Sequence, residues 1–489
     1  MNTEASDMQG QGNVTREVFT RKRRGHWDDV ARSDSFGRAG GKYYHQRLKQ
    51  VYRLLIHEDL RVLEVGCGRG DLLDAVRPSA GVGLDFSPEM IRRAREAYPG
   101  LTFMELDAHA HFDEEQKFDV IIISDLVDDL WDVQTVFERV REHCHPGSRI
   151  ILNFYSRLWE MPLKLVQKLG LATPTLPQNW LTLDDVADLL YLADFEVISS
   201  WQEILWPVRT PVIDGIFNRF LVKMFPASLF ALTNIVVARP RPVAPRPAER
   251  KPSVSIVVPA RNEAGNIGPI FERTPVLGGG TELIFVEGHS SDNTYEEIER
   301  QIAAHPHRPS KVFRQKGIGK ADAVRLGFEN ATGDILMILD ADMTVAPEDL
   351  PRFYDAMVSG QAEFANGVRL VYPMEDKAMR FLNLLGNKFF TWAFSRLLRQ
   401  PIKDTLCGTK VLWRKDYDLI VSNRSYFGDF DPFGDYDLIF GAAKLNLKMT
   451  DIPIRYRNRT YGSTQIQRWK HGWLLLKMVA FAARRIKFV

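Results

Sequence analysis

At 489 residues the chain is long enough for two or three independent cores, which excludes a single small module. Hydrophobic residues make up 45% and charged residues 26%, a globular balance that excludes wholesale disorder and a polytopic membrane protein. Lys plus Arg exceed Asp plus Glu by 64 − 62 = +2, so no molecule-wide field attracts a polyanion and no nucleic-acid partner is expected.

Residues 1–39 read as a flexible tail, polar and then basic at Arg21, Lys22, Arg23 and Arg24, without the apolar core of a signal peptide. From residue 40 to 239, apolar runs at 61–65, 82–85, 118–124 and 150–154 alternate with helical patterns at 88–97 and 133–142, the rhythm of an α/β domain with a mostly parallel sheet. A spacer follows at 240–253, where prolines 240, 242, 245, 247 and 252 and interspersed Arg and Lys favour extended, exposed backbone. The rhythm resumes at 254–465, with apolar runs at 254–259, 283–286, 311–314 and 335–339 and helical patterns at 265–273 and 320–330. The fold class expected is therefore α/β, two Rossmann-like domains in tandem. Cys67, Cys144 and Cys407 form no CxxC pair and read as reduced thiols of a cytoplasmic protein.

In the first domain the run Val62-Leu63-Glu64-Val65 empties directly into Gly66-Cys67-Gly68-Arg69-Gly70-Asp71. Glycines there let the backbone turn sharply and approach a ligand at the carboxyl end of a strand. Asp71 stands where a dinucleotide fingerprint needs its third glycine, which makes NAD the weaker reading. A second strand ends at Asp85, where a carboxylate can accept the hydroxyls of a ribose. These residues resemble the class I S-adenosylmethionine-dependent methyltransferases, with a seven-stranded sheet. The resemblance implies that Glu64, Gly66, Gly68, Gly70, Asp85 and Asp107 bind S-adenosylmethionine, Asp107 on the adenine side. Methyl transfer is an in-line displacement that positioning alone can accelerate, so no base is evident. A solvated loop and an acceptor-binding role both remain open for Ser124, Asp125, Asp128 and Asp129.

In the second domain, strands end in Pro259-Ala260-Arg261-Asn262-Glu263 and in Glu287-Gly288-His289-Ser290-Ser291-Asp292, and a third ends in Asp340-Ala341-Asp342. Two carboxylates in one small volume repel unless a divalent cation sits between them, and hard oxygen ligands suit Mg or Mn bridging to a diphosphate. This constellation resembles the inverting nucleotide-sugar glycosyltransferases that include dolichyl-phosphate mannose synthase and cellulose synthase. The resemblance implies a nucleotide-sugar donor held by Pro259, Arg261, Glu263, Asp292, Lys320 and Asp340, with metal on Asp340 and Asp342, and a catalytic part for Asp342. It places Arg369, Asp404 and Arg459 on the acceptor side and Asp435 as base for a hydroxyl acceptor. A lipid phosphate would need no base. Glu287 stands where the family commonly has Asp, and Thr464-Gln465 replaces its Ser-Lys, so phosphate and hydroxyl acceptors both stay open.

From Arg455 onward there are nine Lys or Arg and no acid, with Trp469, Trp473 and Phe481 around Leu474-Leu475-Leu476. Residues 466–489 therefore read as a basic amphipathic helix lying on an anionic membrane surface, with the aromatic segment 379–398 beside it. The expectation is a bifunctional enzyme, peripheral on the cytoplasmic face of the membrane, that acts on a lipid-linked or cell-surface glycan precursor. The alternatives are a glycosyltransferase whose first domain binds cofactor without turnover, and a non-enzymatic membrane scaffold.

Overall fold

The computed structural model describes residues 2–33, 39–112, 116–169, 175–243, 251–369, 381–422, 436–455, 461 and 468–484, with side chains outside 2–15, 39–40, 381–387 and 468–472. The chain divides into two compact units, Met1–Arg241 and Pro242–Val489.

The first unit carries seven strands: β1 (Arg61–Val65), β2 (Ala80–Asp85), β3 (Thr102–Glu105), β4 (Phe118–Ser124), β5 (Cys144–Tyr155), β6 (Phe195–Glu203) and β7 (Thr233–Pro240). They form one sheet in the order β3-β2-β1-β4-β5-β7-β6. Strands β1 to β5 run parallel, and β7 runs antiparallel between β5 and β6. Helices cover both faces, so β1 and β4 are almost wholly buried, which is why apolar residues dominate them on both faces. The strand order reverses between β1 and β4, and that switch point opens a crevice at their carboxyl ends. The glycine run of residues 66–70 lies there.

The N-terminal segment expected as a flexible tail is instead helix α1 (Asn2–Arg32). Apolar polarity is low along it, but its last turns find partners. Val30, Ala31 and Trp27 pack around Met90, which lies in the later helix Pro88–Ala97. Trp27 Nε1 and Arg23 Nε also donate to the Asp129 carboxylate at 2.7 and 2.8 Å.

The second unit carries β8 (Val254–Ala260), β9 (Thr281–Glu287), β10 (Ser310–Arg314), β11 (Ile335–Ile338), β12 (Phe364–Val368), β13 (Lys410–Trp413) and β14 (Met449–Pro453). Their order is β10-β9-β8-β11-β13-β12-β14. Strand β13 is antiparallel to both its neighbours, and the remaining pairs are parallel. Again the order reverses, between β8 and β11, so the loops after these two strands share one crevice.

A helix is present at Arg468–Ala482. Its Leu475, Met478 and Ala482 are buried in the same core as Phe390 and Phe394 of the Phe381–Leu398 helix. Among the described residues no helix is long and apolar enough to cross a membrane.

Candidate active sites

The first crevice is built from backbone. Gly66, Gly68 and Gly70 all have positive φ, at 75°, 52° and 78°. At Gly66 a side chain would also meet Leu126, 2.9 Å away. Gly68 N–H donates to Asp85 Oδ2 and Ser87 N–H to Asp85 Oδ1, both at 2.9 Å. The carboxylate at the end of β2 is thereby locked beside the glycine loop. Burial pushes the Asp85 pKa up to about 6, against the pull of the Ser87 and Gly68 amides, and the Asp28 and Asp129 charges add to the rise.

Glu64 is buried, and burial drives its pKa well above the usual carboxylate range. Its Oε2 has no hydrogen-bond partner among the described residues. An orphaned buried oxygen beside an open glycine loop is an acceptor that the ammonium group of S-adenosylmethionine would satisfy, so the residues present fit that cofactor.

Asp107, expected as the adenine-side acid, is bonded to His109. The Asp132 amide donates to His109 Nε2 at 3.1 Å, so the ring proton sits on Nδ1, 2.7 Å from Asp107 Oδ1. Burial works to raise the Asp107 pKa, but the His109 bonds prevail and hold it below the ordinary value. Asp107 still lines a cavity of about 420 Å³ together with Arg16, Glu17, Thr20, Arg21 and Arg24 of α1. Helix α1 reaches the ribose side as well. Ser87 Oγ donates to Asp28 at 2.5 Å, and Arg69 donates to Ala31 O at 2.9 Å. Nothing in the composition of residues 1–39 signals this contact.

The sequence also gave little weight to the end of β4. Asp125 has φ 51°, a left-handed conformation that a non-glycine residue holds at a cost of roughly 1–3 kcal/mol. Its Oδ1 accepts from Tyr44 OH at 2.7 Å and from Asn153 Nδ2 at 2.6 Å. Burial raises its pKa to about 6 in spite of both donors.

In the second crevice the loops after β8 and β9 are zipped together. Asn262 N–H donates to Ser290 Oγ at 3.0 Å, Ser291 N–H to Asn262 Oδ1 at 2.8 Å, and Glu263 N–H to Thr294 Oγ1 at 3.0 Å. Asp292 accepts from Thr294 Oγ1 at 2.5 Å. Buried Glu263 binds Asn266 at 2.7 Å, whereas Arg261 is exposed and Pro259 half-buried at the strand end. Glu287 accepts the Ser290 amide, so its longer arm closes its own loop.

Asp340, just past β11, pairs with Lys320 Nζ at 2.6 Å. Burial alone would raise the Asp340 pKa, but Lys320, backed by Lys410 and Arg369, holds it below the ordinary value. A side chain at Gly408 would run into both Asp340 Oδ2 and Lys320 Nζ. Asp342 is half-buried, and its Oδ1 accepts from Thr344 N–H at 3.1 Å and Thr344 Oγ1 at 2.8 Å. Among the described residues no group of three or more His, Cys, Asp or Glu could by itself hold a metal ion. An open Mg site asks for less, one or two carboxylates completed by water and substrate phosphates, and Asp340 with Asp342 fits that description.

Arg369 and Asp404 meet each other in a two-pronged ion pair, Nε to Oδ2 at 2.7 Å and NH2 to Oδ1 at 2.9 Å. Asp404 is fully buried and also accepts the Leu406 amide at 3.0 Å, which shapes the loop leading to Gly408. Asp435 and Arg459 lie outside the described residues. Tyr461 is described and its ring covers Gly265, where a Cβ would come within 2.6 Å of the ring.

The family model for a methyltransferase domain matches residues 56–193, and that for glycosyl transferase family 2 matches residues 255–419. A dolichol-phosphate mannosyltransferase of Pyrococcus furiosus is 29% identical over 253 residues, 48% of this chain and 67% of the relative. An undecaprenyl-phosphate 4-deoxy-4-formamido-L-arabinose transferase of Edwardsiella ictaluri is 33% identical over 112 residues, 22% of this chain and 34% of the relative. The chain thus spans two thirds of one relative's length and about a third of the other's. Among solved structures, the N-methyltransferase NodS of Bradyrhizobium japonicum bound to S-adenosyl-L-homocysteine aligns with 14% identity and a TM-score of 0.31, covering 44% of this chain and 96% of that one. Two switch-point crevices, each coinciding with a family match, lead to one conclusion: the chain carries a methyltransferase domain followed by a glycosyl transferase family 2 domain.

Proposed function

We propose that the chain is a bifunctional transferase whose second unit moves a sugar, with inversion, from a nucleotide-sugar donor to a lipid-linked acceptor, and whose first unit methylates a related substrate. The observation that carries the proposal is the Lys320–Asp340 pair at the β8/β11 switch point, closed on one side by Gly408. A lysine and a carboxylate side by side are what a metal-bridged diphosphate needs, one to neutralise oxygens and one to hold the cation. Mg or Mn bound by Asp340 and Asp342 would stabilise the leaving nucleoside diphosphate. The chain's own contribution is to fix the donor loops, through Glu263, Asn262 and Asp292, and to hold Asp340 ionised.

The relatives' names point to polyprenyl phosphates as acceptors, and such an oxygen is already ionised near neutral pH, so no base is required. An acceptor of this kind sits in a bilayer. Exposed Phe389 and Trp392 on one helix and Trp473 and Leu476 on its neighbour support peripheral contact with that bilayer. For the first unit, Glu64, the glycine loop and Asp85 support binding of S-adenosylmethionine. The test is sugar transfer to polyprenyl phosphate from a panel of nucleotide sugars with manganese. Asp342→Asn is expected to abolish transfer while leaving adenosylmethionine affinity unchanged. Full transfer by that variant would refute the metal role.

A further inference from the structure

The first unit has two apolar stripes on the outside. On the helix Glu160–Lys168 and its flanks, Leu158, Met161, Leu165 and Leu169 are exposed at a spacing that puts them on one helical face. Between β6 and β7, Ile213, Ile216, Phe220 and Met224 repeat the same spacing and are exposed, followed by Phe225. Met161 and Phe225 are 74% and 73% exposed. A stripe of this kind ordinarily faces a core; here both stripes face away from one.

Neither segment is loosely attached. Buried Asn218 accepts the Leu205 and Trp206 amides at 2.8 and 2.7 Å and donates to Tyr43 OH at 3.0 Å. Trp159 Nε1 donates to Phe230 O at 2.9 Å, which joins the start of one stripe to the end of the other. Their position follows from strand register. Tyr155, at the end of β5, pairs with Thr233, and Thr233 pairs with Glu203, at the end of β6. Both stripes therefore spring from the sheet edge that also carries Gly66 and Asp125, on the side of β4 away from the cofactor loops. The charges are one-sided as well. Arg157, Lys164, Lys168, Arg209 and Arg219 are exposed, against half-buried Glu160 and Asp214, which gives 5 − 2 = +3 at the surface of the two segments, Lys223 being buried against Glu203.

We infer that this face docks on an anionic phospholipid bilayer, so that the methyl acceptor reaches the Asp125 side of the crevice from the membrane. The inference rests on reading the first unit as a methyltransferase that acts on a lipid-linked substrate. The occupant is a bilayer because exposed aliphatic and aromatic side chains rimmed by cations match acyl chains below and anionic headgroups above. These residues belong to the first unit, whereas Trp473 and Leu476 belong to the second.

Vesicle flotation of the full chain tests it, with phosphatidylcholine alone and with phosphatidylglycerol added. Met161→Glu combined with Phe225→Glu is expected to weaken partitioning to anionic vesicles by about tenfold or more, the order expected from two large apolar side chains. Lys164→Gln with Lys168→Gln and Arg219→Gln is expected to remove the preference for phosphatidylglycerol. Flotation of the Glu variant equal to wild type overturns the inference, and so does a wild-type dimer that these Glu substitutions dissociate without any vesicle binding. Methyl release from adenosylmethionine, measured in parallel, keeps the two readings apart. Its absence in wild type refutes the methyltransferase reading even where the flotation difference stands, and its presence with unchanged flotation refutes only the docking surface.

Discussion

Lys320 Nζ and Asp340 Oδ1 stand 2.6 Å apart with Gly408 against both, so these three positions form one unit in which each fixes the other two. A methyl group at 408 has no space there, and neither partner can retreat without breaking the pair. Gly408→Ala is expected to remove sugar transfer while lowering stability by only about 1–3 kcal/mol, the usual range for overpacking. Lys320→Met frees Asp340 from its competing cation, so Mn binding without donor should tighten while transfer is lost. Metal titration by thermal shift and a transfer assay check both. Normal turnover by Gly408→Ala would contradict this geometry.

The Arg369–Asp404 pair makes a different prediction, because both charges are largely buried. Burial works to raise the Asp404 pKa, and Arg369 more than offsets it, so the carboxyl stays below its ordinary range. That stabilisation is complete at neutral pH and fades only as pH falls through the depressed pKa. Removing either partner strands the other, so Asp404→Ala and Arg369→Ala should each cost about 3–5 kcal/mol. The double variant should cost far less than the sum. Additive losses in chemical denaturation would show that the two residues act independently, as separate acceptor contacts.

Much of this architecture was legible because buried parallel strands advertise themselves. Runs such as Ile335–Leu339 are apolar on both faces, Val62–Val65 departs from this only at Glu64, and both end in glycine or acid at the crevice, which is why the strands and the Gly66–Gly70 and Asp340–Asp342 clusters could be placed in order. What stayed hidden depends on contacts between segments far apart in sequence. Asp28 reaches Ser87 across 59 positions, and Tyr44 reaches Asp125 across 81. No local pattern encodes such pairings. Arg369 and Asp404 were each legible as polar residues near the site, but not as partners, since the pairing depends on how the loop after Gln400 folds back on β12. The C-terminal helix shows the same limit. Its basic, tryptophan-bearing composition suggested a membrane face, yet Leu475 and Met478 supply core, so a test of membrane contact must change exposed Trp473 and Leu476 and leave the helix in place.

Asp128 offers a stability measurement with a defined sign. It is fully buried, its Oδ2 accepts the Tyr155 amide at 2.9 Å, and burial lifts its pKa to about 8. In the unfolded chain the carboxyl ionises near the ordinary value of about 4. Between those two values the folded state binds the extra proton, so stability falls as pH rises through that window and levels off above it. Asp128→Asn keeps the acceptor oxygen and has no proton to lose. Its stability relative to wild type should therefore grow from pH 5 to pH 8.5, to on the order of a few kcal/mol, in thermal unfolding of the full chain. Parallel pH profiles for the two proteins would count against a buried neutral carboxyl.

Asp85 carries the corresponding prediction for binding. With its pKa raised to about 6 by burial, the unliganded site is largely ionised at pH 7.5 and largely protonated at pH 5. Both oxygens already accept amides from Gly68 and Ser87, so ribose hydroxyls must share their remaining lone pairs, and only the carboxylate has enough to offer. Adenosylmethionine should then bind about tenfold more weakly at pH 5 than at pH 7.5, the ratio set by the ionised fraction. Asp28 lies on the other side of Ser87 and is one of the charges that raise the Asp85 pKa, so Asp28→Asn should move the midpoint of this profile to lower pH. Asp85→Asn should bind weakly with no midpoint near pH 6. Calorimetric titration across the range decides the matter: a wild-type Kd that stays flat from pH 5 to 7.5 would mean that Asp85 does not hold the cofactor through its charge.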